Sequence, residues 1–282
     1  MKRPTKHRIA RLVLTSKQYN KNGALNLSKL YKLLALLSKD INQYEFDFLI
    51  TPGGLLQFEF PSMERKDLSI KELEEDLPNN FPNEAKGAIN DFIHSIDKGT
   101  FIKLQNSIRY ISLGIDGKND YNKKHVELVV LYDLQKKAIK HWTGKFYPTE
   151  KQESKLVKFI NPESHFVRIN KKNIVIIGCH DLNVFNPRGQ ASLSHDSDKA
   201  KASKKFVQSC RKYKPDIILH HPHTTDTPNT WNLSWKEVEK RLPSVQYYAS
   251  GIKYYNSNGS PRSSLQKVLE KTKKGDVIDF YY

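Results

Sequence analysis

Residues Asn173–Gln190 read NIVIIGCHDLNVFNPRGQ. Four apolar residues, Ile174 to Ile177, run without interruption into Gly178. A short apolar run bounded by turn residues fits a strand buried on both faces, as in the interior of an α/β sheet. The chain can turn sharply at the glycine, and Cys179, His180 and Asp181 follow at once. A strand that stops at a glycine and presents a cysteine holds the thiol in a defined place, which suits a nucleophile. The same residues also fit a core strand with a buried structural cysteine.

The neighbouring segments alternate in kind. Phe166–Asn170 and Asn173–Ile177 read as a hairpin that delivers Cys179. Ser197–Tyr213 has helical periodicity, and Pro215–Leu219, containing DIIL, reads as another buried strand. Ser234–Leu242 reads as a helix capped by Ser234, Ser263–Lys271 as a last helix, and Val245–Ile252 and Asp276–Tyr281 as closing strands. Upstream, Arg8–Ser16 and Phe46–Thr51 read as strands, the latter ending in Pro52-Gly53-Gly54. Asn20–Ala24 reads as a turn, and Asn26 caps a helix over Leu27–Asn42 with leucines at helical spacing. Ile70–Leu77 and Asn83–Lys98 read as helices, Asn83 serving as a cap. Ser107–Ile115 and Val126–Tyr132 read as strands joined by a polar loop over Asp116–Lys124. Strands alternating with amphipathic helices, several of them hairpin-connected, predict one mixed α/β layered domain over residues 1–282, helices packed outside sheets. Neither GxGxxG nor GxxxxGK[ST] occurs, so there is no dinucleotide fingerprint and no P-loop.

Composition narrows the class. The 282 residues are 38% hydrophobic, with no apolar run near the ~18 residues of a membrane span. Two cysteines, Cys179 and Cys210, are too few for a disulfide framework at this length, so a reduced, cytoplasmic setting is expected. The formal net charge is +17, and such a field favours a nucleic acid or another polyanion. The excess is mostly scattered lysine, with clusters at Met1–Arg11, Lys136–Lys145, Lys199–Lys214 and Lys271–Lys274.

The order of these pieces resembles the nitrilase, or carbon–nitrogen hydrolase, superfamily. The helix opening at Asn26-Leu27, followed by FDFLITP at Phe46–Pro52, resembles the family's first helix and the strand that ends in Pro-Glu. Residues Gly114–Pro148 resemble the segment that carries the family's lysine, which falls on Lys145. VIIGCHDLNVF at Val175–Phe185 resembles the strand ending in the nucleophilic cysteine, here Cys179. KPDIILHHP at Lys214–Pro222 resembles the strand–helix unit after it. The resemblance implies a four-layer α–β–β–α sandwich, a small amide or nitrile substrate, no cofactor, and a homodimer. Chemically, the thiolate of Cys179 would attack the substrate carbon, with Lys145 and the N–H of His180 stabilising the oxyanion.

The chain departs from the family where the general base belongs: Gly53 follows Pro52 in place of glutamate. Glu59 lies a few residues on and is the carboxylate expected to reach back, while Glu150 and Glu153, between the lysine and the cysteine, are the candidates for the second glutamate that the resemblance implies. His180, next to the thiol, would lower its pKa. His220-His221-Pro222-His223 with Asp226 invites a metallophosphoesterase reading. The early Asp-x-His and Gly-Asp pieces of that family and the glycine before its His-x-His are missing, so no metal is assigned. His221 and His223 are expected instead at the pocket mouth, as substitutes for the lost base. The competing expectation is a catalytically altered module on the same fold that binds nucleic acid or a protein partner. Divergent nitrilase-like domains accompany bacterial reverse transcriptases in antiphage defence, and the basic charge suits such a setting.

Overall fold

The structure is a computed structural model that describes residues 9–15, 27–60, 68–118, 124–191, 193–194, 197–254 and 261–282. The turn expected at Asn20–Ala24, the cap Asn26 and most of the polar loop after Lys118 lie outside these residues.

Two sheets stack face to face. The first contains β1 (Ile9–Leu14), β2 (Phe46–Ile50), β3 (Leu56–Glu59), β4 (Ile108–Lys118), β5 (His125–Asp133) and β6 (Ala138–Gly144). The second contains β7 (Phe166–Ile169), β8 (Lys172–Gly178), β9 (Ile217–His221) and β10 (Tyr247–Ser250). Of the three short closing strands, β11 (Ile252–Lys253) and β13 (Val277–Tyr281) join β1, and β12 (Lys273–Lys274) joins β10. The orders are β11–β1–β2–β4–β5–β6 and β12–β10–β9–β8–β7, with β3 set against β4.

Two-residue periodicity assigns each side chain to a layer. On β8, Ile174 and Ile176 face the other sheet while Val175 and Ile177 face helices, so all four positions are apolar. On β9, Ile217 and Leu219 point into the inter-sheet core and Ile218 points away. Opposite them, Val129 and Leu131 of β5 and Phe48 and Ile50 of β2 fill the same core. Each such buried aliphatic side chain contributes roughly 1.5–3 kcal/mol relative to exposure.

Helices cover both outer faces. On the first sheet lie α1 (Leu27–Asp40), α3 (Asn83–Ser95) and α4 (Lys98–Ser107), through Leu33, Leu34, Leu37, Ile89, Phe92 and Leu104. On the second lie α6 (Asp198–Tyr213) and α7 (Asn232–Arg241), through Phe206, Cys210, Trp235 and Val238. Short helices α2 (Ile70–Asp76), α5 (Pro187–Ala191) and α8 (Leu265–Lys271) complete the set. The layering is the expected helix–sheet–sheet–helix order.

Local chemistry accounts for several element ends. Asn170 and Lys171 both take positive φ, the left-handed pair that a two-residue β7–β8 hairpin requires. Ser69 and Glu72 form a reciprocal cap on α2, and Ser197 caps α6. Three sequence expectations are corrected. Asn83 is the first helical residue and not the cap. Ser234 lies inside α7, buried. The helix expected over Asn83–Lys98 stops at Ser95, and Asp97 caps a separate helix, α4, by accepting the Thr100 N–H at 2.9 Å.

Candidate active site

At one end of the sandwich the apolar filling between the sheets gives way to polar groups. On β4 the residues on the inward face run Tyr110, Ser112, Gly114, Asp116, and on β5 Leu131, Val129, Glu127. Asp116 therefore belongs to a strand, not to the polar loop where the sequence put it, because the β4–β5 ladder continues to Lys118↔His125. In that ladder Asp116 and Glu127 are direct partners. Like charges directly opposite across strands repel, so the pair needs cations between its members.

Two cations meet it. Lys145, buried just past β6, places Nζ 3.0 Å and 2.9 Å from the two Glu127 oxygens, and donates to Gln152 Oε1 at 2.8 Å. Gln152 returns a bond from Nε2 to Glu127 Oε1 at 2.6 Å. His223 lies 2.8 Å through Nε2 from Asp116 Oδ2, and its Nδ1 is 3.6 Å from Glu127 Oε2. Burial alone would favour neutral His223, but the two carboxylates outweigh it and raise its pKa well above 6.5. Burial likewise opposes ionised Glu127; His223 and Lys145 prevail and hold its pKa well below the usual carboxylate range. Lys145 is kept charged by Glu127 against the same burial.

Cys179 completes the cluster. It follows Gly178, the last residue of β8, and is 6% exposed. Its Sγ accepts the backbone N–H of His223 at 3.3 Å. Burial raises a thiol pKa, yet here His180 and His223 beside the sulfur bring it down to about 5. Cys210 is buried on α6 without such neighbours, and burial pushes its thiol far up. Asp181 ties the cysteine turn to the lysine turn. One carboxylate oxygen accepts the N–H of Gly178 at 2.8 Å, and the other accepts those of Phe146 and Tyr147 at 3.1 and 2.9 Å.

These groups line a pocket of about 620 Å³ that includes Asp116, Glu127, Lys145, Gln152, Cys179, His180 and His223. Of the residues expected from sequence, the structure thus brings together Cys179, Lys145, His180 and His223. His221 does not line the pocket. It is buried between the sheets on Ser112 Oγ at 2.8 Å, and burial takes its pKa down to about 3. Glu59 is exposed at the end of β3, and Glu150 belongs to a 3-10 turn whose Gln152, not the glutamate, reaches the pocket. Neither of them, nor Glu153, lines the pocket, where the carboxylates are Asp116 and Glu127. The histidines of the HHPH run diverge. His220 turns to the helix side, with Nδ1 on Ser250 Oγ and Nε2 on the Cys179 carbonyl, His221 turns to Ser112, and His223 to Asp116.

Sequence reasoning missed Asp116, Glu127 and Gln152. The signal for Glu127 was available: a single carboxylate in the apolar run VELVVLY must be buried, and a buried carboxylate needs a partner. The signal for Asp116 was hidden, since GIDGKND reads as a turn.

No protein-family model matches the chain, and no curated protein matches it. Solved structures similar in fold include Nit3 of Saccharomyces cerevisiae, a member of branch 10 of the nitrilase superfamily. It is 12% identical, with a TM-score of 0.48 over 83% of this chain and 73% of that one. An amidase from Nesterenkonia sp. AN1, carrying the acetamide moiety of fluoroacetamide on its active-site cysteine, is 12% identical, with a TM-score of 0.48 over 88% and 77%. The glutamine-dependent NAD+ synthetase of Acinetobacter baumannii is 10% identical, with a TM-score of 0.46, and this chain covers 86% of itself but 38% of that one. At these identities and TM-scores the likeness extends no further than the fold. Among the described residues no helix is long and apolar enough to cross a membrane.

Proposed function

We propose that the protein is a cysteine-dependent carbon–nitrogen hydrolase acting on small amides, with Cys179 as nucleophile. The observation that carries this reading is the position of the Cys179 thiol. It lies at the wall of a pocket with the His223 N–H on its sulfur and the buried Lys145–Glu127 pair lining the same space. The thiolate attacks the amide carbon, and the carbonyl electrons move onto oxygen. The Lys145 ammonium and the His180 N–H stabilise that oxyanion. As the tetrahedral intermediate collapses, the C–N bond breaks and the His223 imidazolium gives its proton to the departing amine. Neutral His223 then takes a proton from water as it attacks the thioester, the C–S bond breaks, and the thiolate and imidazolium are restored. Glu127 and Asp116 hold His223 in place and stabilise its charged form; no carboxylate is needed at Gly53.

The test is ammonia release from short aliphatic amides by the wild-type protein and by Cys179→Ala, with mass spectrometry of the cysteine peptides after acid quench. Release by the wild type alone, with an acyl adduct on Cys179, is expected. Equal release by both, or none by either with Cys179 no more reactive than Cys210, overturns the reading.

A second reading has one observation in its favour. The outer surface of α6 exposes Lys201, Lys204, Lys205, Arg211 and Lys212, with Asp198 its sole acid. A helix face of this charge suits a nucleic-acid backbone, and a role beside a reverse transcriptase in antiphage defence belongs with this reading. The two readings use different faces of the molecule, so a binding assay and a turnover assay separate them.

A further inference from the structure

The pocket lining also carries charge that the chemistry proposed above does not use. Lys118, at the end of β4, Lys124, just before β5, and Lys155, in the segment after the 3-10 turn, all line the pocket. Backbone pairing brings them together. Lys118 is the ladder partner of His125, and His125 donates its N–H to the Lys155 carbonyl at 3.0 Å. Lys118 and Lys155 are exposed and form no ion pair among the described residues, although Glu59 is the register neighbour of Lys118. Lys124 donates to the Leu68 carbonyl and is half-buried.

Charges deeper in the pocket are matched against one another. Lys145 and His223 face Asp116, Glu127 and the thiolate, an inner set with one negative charge in excess. The two exposed rim lysines, Lys118 and Lys155, reverse it. Glu153, two residues before Lys155 in sequence, pairs instead with Lys158 at 3.5 Å and Lys199 at 3.9 Å. A neutral substrate such as a simple aliphatic amide has no use for this rim. Exposed lysines such as Lys118 and Lys155 around a partly enclosed site concentrate anions there and orient them as they enter.

We propose that the substrate is an anionic amide, its carboxylate or phosphate held by Lys118 and Lys155 at the rim while its amide carbon meets Cys179. This rests on the hydrolase reading for the reaction, but the recognition of the anion can be tested without turnover. Iodoacetate and iodoacetamide alkylate the same thiol and differ in charge. The ratio of their rates at Cys179, measured at neutral pH by mass spectrometry, is expected to favour iodoacetate relative to the ratio for free cysteine. In Lys118→Gln/Lys155→Gln that ratio should fall by about tenfold, and in the wild type it should fall as salt is raised. Turnover adds a second readout, glutaramate against valeramide, equal in chain length, with the anion preferred in kcat/KM. An alkylation ratio equal to that of free cysteine, or one that the double variant leaves in place, overturns the proposal. Iodoacetate preference without turnover of either amide leaves anion recognition standing and removes the hydrolase reading instead.

Discussion

The imidazole of His223 occupies the space that a side chain on residue 53 would enter: a Cβ built on Gly53 lies 3.2 Å from its ring and 2.6 Å from the His221 carbonyl oxygen. Gly53 also donates its N–H to the Pro222 carbonyl at 3.0 Å, which locks the two turns together. A side chain after Pro52 therefore requires the His221 carbonyl to shift and crowds the His223 ring that pairs with Asp116. Gly54, at φ +61°, makes the matching allowance, since a Cβ there lies 2.6 Å from Asp116 Oδ2.

Restoring the family residue should accordingly fail. Gly53→Glu and Gly53→Ala each force the backbone off the His221–His223 turn. A loss of about 1–3 kcal/mol is expected from such overpacking, read by denaturant unfolding. Cys179 alkylation at neutral pH should slow in Gly53→Ala because His223 moves from the sulfur. Unchanged stability and unchanged alkylation would contradict the packing described here.

Thiol reactivity gives a pH signature. Cys179 alkylation by iodoacetamide should follow a titration with a midpoint at about 5, while Cys210 stays unlabelled in the folded protein. Asp116→Asn removes the carboxylate on His223 Nε2, which weakens the imidazolium, so the midpoint should move upward. A midpoint in the ordinary thiol range for the wild type rules out an activated Cys179.

Lys145 and Glu127 are a buried pair and should behave as one. Lys145→Met leaves a buried carboxylate short of a partner, and a cost of about 3 kcal/mol is expected. Adding Glu127→Leu to it should recover a large part of that loss, since the orphaned charge is gone. Additive losses in the double variant, measured by a double-mutant cycle, would show that the two side chains act independently.

His223 links stability to pH. Its folded-state pKa lies well above 6.5, so its ion pairs contribute fully below the unfolded value and the contribution is lost as pH rises through the folded value. His223→Gln should therefore be less stable than wild type at pH 6 by about 2 kcal/mol, and the gap should narrow in alkaline solution. A gap that is constant with pH would mean that packing, not charge, carries the difference.

The basic face of α6 can be tested alone. Binding to single-stranded RNA, if it occurs there, should weaken steeply between low and moderate salt, and Lys204→Glu/Lys205→Glu should reduce both affinity and salt slope. No binding at low salt removes the nucleic-acid reading.

Much of this molecule could be read along the chain. The apolar run Ile174–Ile177 marks a strand buried on both faces, and Leu33, Leu34 and Leu37 mark a helix with one buried face, because burial repeats with the period of the local structure. These periodicities, together with the order of strands and helices, determined a mixed α/β layered domain, the strand that delivers Cys179 and the strand that precedes His223, while the two-sheet stacking was implied by the resemblance. Only the tertiary structure decided which charges meet. Asp116 and Glu127 are eleven residues apart across a hairpin whose ladder runs three steps further than the turn-like sequence suggested. The choice of His223 over His221 depends on which side of β9 faces the pocket and on the Pro222 turn beyond it. Glu59 and Glu150 are close to the right segments in sequence yet end outside the cluster. Local periodicity determines which face a residue is on; ion pairing depends on distances between segments that meet only after the sheets have stacked.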